Sequence, residues 1–156
     1  MNTIEKKSLK VGKYVSTEHV DNLIRTYKKE RWIQNSEKLG KEDSLHSWYS
    51  LEELEEFIQK AKDHGSNGIR LCFGVYEEHN APKPEMEGKQ TVALVATYSE
   101  QNDSNEPVLR DLYIDNNGRS GLLAYNATTG WPWIVPGGGT LGTLMIADKD
   151  KGMRII

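Results

Sequence analysis

Residues Gly68 to Tyr76 read Gly-Ile-Arg-Leu-Cys-Phe-Gly-Val-Tyr, and Thr91 to Tyr98 read Thr-Val-Ala-Leu-Val-Ala-Thr-Tyr. In the first stretch Ile69, Leu71, Phe73 and Val75 alternate with Arg70, Cys72, Gly74 and Tyr76, the period of two that an extended strand imposes on its side chains. The second is rich in the β-branched and aromatic residues that suit a pleated surface. Between them His79 to Lys89 contains Pro82, Pro84 and Gly88 and cannot continue a ladder. The two stretches are therefore expected to form an antiparallel pair joined by a long hairpin loop.

Upstream the period is helical. From about Thr17 to Gln34, Val20, Leu23, Ile24 and Tyr27 fall on one face of a helix, with Ser16 or Thr17 as N-cap and Glu18 and Asp21 at its positive end. A second helix is expected over 51–64. Ser50-Leu51-Glu52-Glu53 is a capping box, Tyr49 and Leu54 are spaced as a hydrophobic staple, and Leu51, Leu54, Phe57, Ile58 and Ala61 form the apolar stripe. Lys60, Lys62 and His64 suit the negative end, and Gly65 can take the left-handed closing conformation.

Downstream, Asp111 to Ile114 and Leu122 to Tyr125 flank Asp115-Asn116-Asn117-Gly118, whose Asn-Gly pair supplies the positive φ of a tight hairpin. Leu141 to Ala147 reads as a last strand, with Met153 to Ile156 beyond it. The expectation is one α+β domain over residues 1–156, with 1–15 partly disordered or an edge strand. Two helices from the first half pack on one face of a mostly antiparallel sheet of about four to six strands.

This order resembles an uncharacterised family of small bacterial proteins. The shared features are an amphipathic first helix ending in Tyr and basic residues, an aromatic residue before the second helix as in His46-Ser47-Trp48-Tyr49-Ser50, the strand Gly68-Ile69-Arg70-Leu71-Cys72-Phe73-Gly74, and a following Thr-Val-Ala-Leu-Val strand. The resemblance spans roughly residues 16–98. It implies the order of the elements and, since it carries no catalytic motif, no function.

Composition narrows the classes. With 28% charged residues and no run near the ~20 apolar residues of a bilayer span, no membrane association is expected. Met1 to Lys10 lacks the apolar run of a secretory signal, and a single cysteine, Cys72, allows no intrachain disulfide, so a cytoplasmic setting is expected. The net charge of -3 divides into +4 over residues 1–38 and -7 over 39–156. The basic residues are too dispersed, and the pI of about 5.8 too low, for a nucleic-acid footprint.

Each catalytic pattern fails on spacing or on a missing partner. Cys72 sits inside a strand pattern and reads as a small packed hydrophobe. His19, His46, His64 and His79 never recur at i, i+4, and Glu77-Glu78-His79 reads as a charged loop, so no metal is expected. Pro136-Gly137-Gly138-Gly139-Thr140 lacks the ending of a phosphate loop, and no cofactor is expected. Asn102-Asp103-Ser104 and Asn126-Ala127-Thr128 read as turns. Glu52, Glu53, Glu55 and Glu56 read as surface charge on the second helix, and Trp32 as the residue that closes the first helix against the core.

The segment that stands out is Trp131-Pro132-Trp133-Ile134-Val135-Pro136 with the glycines after it: two indoles on irregular backbone suit recognition of another molecule, or the capping of an open sheet end. Trp48 shares that ambiguity. Two function classes stay open. The first is a non-enzymatic binding module, another protein its partner, that uses Trp131, Trp133 and Trp48. The second is a small enzyme or small-molecule binder with His46 or His79 as an acid/base group. Self-association through a sheet edge or the Trp131 to Gly139 loop accompanies the first.

Overall fold

In a computed structural model of the chain, residues 9–127 are described. In chain order the elements are helix α1 (Thr17–Tyr27), a π-helical turn (Lys28–Trp32), α2 (Ile33–Leu39), α3 (Leu51–Asp63), strands β1 (Gly68–Val75) and β2 (Gln90–Gln101), β3 (Pro107–Asp111), β4 (Tyr113–Asn116), β5 (Arg119–Leu122) and β6 (Ala124–Tyr125). The fold class is α+β. The expected strands at Leu141 to Ala147 and Met153 to Ile156 lie outside the described residues. Among those residues the chain forms two compact units, one of residues 9–11, 49–74 and 92–127, the other of 12–48 and 75–91.

The first unit is built around β2, the centre of a four-stranded sheet with β1 on one side and β3 and β6 on the other. Phe57 and Ala61 of α3 pack on Leu94 and Ala96 of β2 and on Leu123, with Tyr49, Leu54, Ile69, Leu112 and Ile114 around them. The capping box is formed: Ser50 Oγ accepts the Glu53 amide at 3.1 Å and a Glu53 carboxylate oxygen accepts the Ser50 amide at 2.9 Å. Gly65 has φ +86, as the closing position of α3 requires. Tyr49 does more than staple, because its hydroxyl donates to the Val92 carbonyl at 2.6 Å and its ring lies 5.7 Å from that of Tyr125.

The far side of β2 departs from the expected pair of strands. β3 pairs with β2 from Thr97↔Asp111 to Gln101↔Pro107, and β6 pairs with it at Leu94↔Tyr125 and Val95↔Ala124. Between them the Ala96 amide donates to the Leu123 carbonyl at 2.9 Å, and its carbonyl accepts the Leu112 amide at 2.8 Å. Thus β3 and β6 act as one interrupted strand, and residues 113–122 leave it as the β4–β5 hairpin. That hairpin closes with Asn116 opposite Arg119, nearer the turn than the expected strands Asp111 to Ile114 and Leu122 to Tyr125, and leaves Asn117 (φ +52) and Gly118 (φ +79) as a two-residue loop with both φ positive.

β1 and β2 are antiparallel: the Asn67 amide meets the Thr97 carbonyl at 3.0 Å, whereas the Tyr76 amide meets that of Lys89 at 3.1 Å. The intervening loop contains a 3-10 turn, Pro84–Met86, and its return at Gly88 has φ +78.

In the second unit α1, the π turn and α2 form one continuous helix that runs past the expected end near Gln34 to Leu39, where Gly40 closes it at φ +75. The cause is the wider turn, which accommodates an extra residue and rotates the apolar face out of its earlier phase, so that the 3.6 period stops although the helix does not. Lys28 and Trp32 are both buried there, with the Lys28 ammonium 5.3 Å from the centre of the Trp32 ring.

Candidate functional site

Trp131 and Trp133 lie outside the described residues. His46 and Trp48 lie two residues apart on the segment 40–48 of the second unit. Trp48 is 46% exposed. His46 is half-buried, which pushes its imidazole below its usual value, and its Nε2 is buried with no hydrogen-bond partner among the described residues. His79 projects into solvent from the β1–β2 loop at φ +65, with its Nε2 3.6 Å from the Glu78 carboxylate.

The segment carrying His46 and Trp48 is held by a residue that sequence patterning passed over. Asp43 is buried, and its Oδ1 accepts the backbone amides of Ser44 at 2.8 Å and Gln90 at 2.7 Å. Its Oδ2 accepts the Asn35 side-chain amide at 3.3 Å. Its own backbone amide donates to Ser36 Oγ at 2.9 Å, and its carbonyl accepts the Trp32 indole N–H at 2.8 Å. Gln90 in turn accepts the hydroxyl of Tyr27. Burial raises the Tyr27 pKa, and the Asp43 charge adds to the effect. One carboxylate thus ties the long helix, the segment 40–48 and the first residue of β2 together. Lys41-Glu42-Asp43-Ser44 reads locally as a charged loop, and nothing in it announces burial.

In the first unit the unusual feature is one edge of the sheet. Among the described residues β1 is a terminal strand, with no strand on its outer side. By alternation Leu71 and Phe73 share the face of Ile69, which packs on the core, yet they are 62% and 81% exposed. On the other face Cys72 is half-buried, and the Arg70 guanidinium reaches Asp111 of β3 at 2.7 Å. Because β3 lies beyond β2, this ion pair draws the only charge of the strand across the sheet and away from the open edge. A long apolar edge strand without lysine or proline is a template for another strand, since among the described residues no strand pairs with its outward amides and carbonyls.

Pro136 to Thr140 and the Thr128 end of the second sequon-like triplet lie outside the described residues, whereas two other motifs are accounted for locally. Asn102 Oδ1 accepts the amides of Ser104 at 3.0 Å and Glu106 at 2.8 Å, which makes the first sequon-like triplet a turn. Of the four glutamates on α3, Glu53 is committed to the cap, and its second oxygen accepts the Tyr125 hydroxyl at 2.8 Å. Among the described residues no group of three histidine, cysteine or carboxylate side chains could hold a metal ion, and no helix is long and apolar enough to cross a membrane.

Comparison with known proteins finds no family, no curated protein and no solved structure that matches the chain. The functional reading therefore rests on the geometry of the chain itself.

Proposed function

We propose that the chain is a non-enzymatic interaction module that receives an extended polypeptide segment along the free edge of β1. The observation that carries this reading is the exposure of Leu71 and Phe73 on a terminal strand whose one charged side chain is turned inward. Strand addition uses such an edge in two ways: main-chain hydrogen bonds supply affinity, and alternate side chains supply selectivity. The Trp131 to Gly139 stretch, which the sequence leaves open between recognition and the capping of a sheet end, lies outside the described residues, so the edge is the surface to test first.

The probe is a capped, fluorophore-labelled peptide of alternating threonine and valine, long enough to span β1. Expected are a rise in anisotropy and slower hydrogen exchange at the amides of residues 68–74, both reduced in Phe73→Lys. Exchange at those amides that ignores saturating peptide refutes the reading.

A second reading is favoured by one observation, the buried Nε2 of His46, which has no hydrogen-bond partner among the described residues. A neutral imidazole of that kind can bind the donor group of a small molecule. Chemical-shift changes at His46 on screening against small polar fragments support it, and a silent His46 ring speaks against it.

A further inference from the structure

We infer that the strand received at this edge is β1 of a second copy of the chain, laid antiparallel about a two-fold axis through Cys72. The inference rests on the edge-binding reading above and names its partner. An antiparallel pairing of identical strands about an axis normal to the sheet keeps each face on its own side, so what matters is which side chains fall opposite each other.

With Cys72 opposite its own copy, Leu71 of each chain lies opposite Phe73 of the other. The two most exposed side chains of residues 68–74 then cover one another in two identical aliphatic–aromatic pairs, the kind of cross-strand contact that stabilises a sheet. On the opposite face Arg70 falls across from Gly74, which leaves room for the guanidinium to stay on Asp111. Moving the axis to Arg70 instead sets two guanidiniums face to face, which opposes pairing. One strand edge buries less than the about 1,200 Å² at the low end of stable complexes, so this dimer forms and dissociates with concentration.

Cys72 makes the arrangement testable, because it is the sole cysteine of the chain. Directly opposite residues have Cβ atoms about 4.5–5.5 Å apart, close enough for two thiols to join with small adjustment. The experiment takes the full chain from micromolar to submillimolar concentration by sedimentation. In parallel, cross-linking uses diamide, which accepts the two electrons and two protons that the paired thiols release.

Expected is a mass rising from 17.7 kDa toward twice that value, with a covalent dimer that accumulates in proportion. Phe73→Lys weakens both by about tenfold or more, since it places a charge at each of two symmetry-related contacts. Cys72→Ser abolishes the covalent dimer and leaves sedimentation unchanged. Leu71→Lys repeats the test should Phe73→Lys fail to fold. A mass fixed at that of one chain, a dimer indifferent to both lysine variants, or cross-linking no slower in them than in the parent overturns the inference. A monomer whose β1 amides are still protected by the threonine–valine peptide overturns the dimer alone, whereas a monomer indifferent to the peptide overturns the edge-binding reading as well.

Discussion

At Asp43 a single side chain supplies the acceptor for two backbone amides and one side-chain amide in a buried setting. A buried donor deprived of its acceptor costs about 1–3 kcal/mol, so Asp43→Ala is expected to lose about 3 kcal/mol or more in urea unfolding, and Asp43→Asn, which keeps one acceptor oxygen, roughly half of that. Gly88 poses a steric problem: at φ +78 a Cβ would lie 2.5 Å from Leu39 Cδ1, and Gly88→Ala should cost about 1–2 kcal/mol by the same measurement. His46 gives a pH dependence. Burial lowers its folded pKa below that of the unfolded chain, so its contribution is present above the unfolded value near 6.5 and is lost as pH falls through the folded one. Thermal melts from neutral to mildly acidic pH should therefore show a steeper loss for the parent than for His46→Phe; parallel curves would show that burial does not depress the His46 pKa.

For the elements, legibility followed the range of the interactions that define them. The start of α3 depends on Ser50 and Glu53, three residues apart, and the hairpin β4–β5 on the adjacent pair Asn117 and Gly118, so each is written in the sequence as a short word. The end of the first helix was not legible, because a π turn over Lys28–Trp32 shifts the phase of the apolar face without stopping the helix. The split between β3 and β6 was hidden too, since it arises from the hydrogen bonds Ala96 makes to Leu112 and Leu123, residues it cannot be paired with by any local pattern. The cap yields its own tests. Ser50→Ala should cost about 1 kcal/mol. The hydrogen bond from the Ser50 amide, followed by that from the Tyr125 hydroxyl, holds the Glu53 carboxyl below its ordinary value. Its stabilisation is thus present above the unfolded carboxyl value and is lost as pH falls through the folded one. The difference in melting temperature between the parent and Glu53→Gln should close on acidification, and a constant difference would assign the effect to packing.

At the scale of the whole molecule, alternation in Ile69 to Val75 revealed a strand with one apolar face, but whether that strand ends the sheet or lies inside it is decided by which neighbours arrive, and no periodicity encodes that. Likewise Asp43 became a hub only because Gln90, 47 residues later, returns to it. The consequence of an open apolar edge depends on the charge of the entire chain, which is only -3 at neutral pH and vanishes near pH 5.8. Repulsion between copies is thus weak at neutral pH and absent at the isoelectric point, while the Leu71 and Phe73 contacts contain no titrating group. Self-association should be strongest near pH 5.8 and weaker toward pH 8, and added salt should strengthen it at the higher pH, where it screens repulsion, but change little at the lower. Light scattering at matched concentration measures both arms. Phe73→Lys should scatter as a monomer at either pH, and a pH response that survives this substitution would place the association somewhere other than β1.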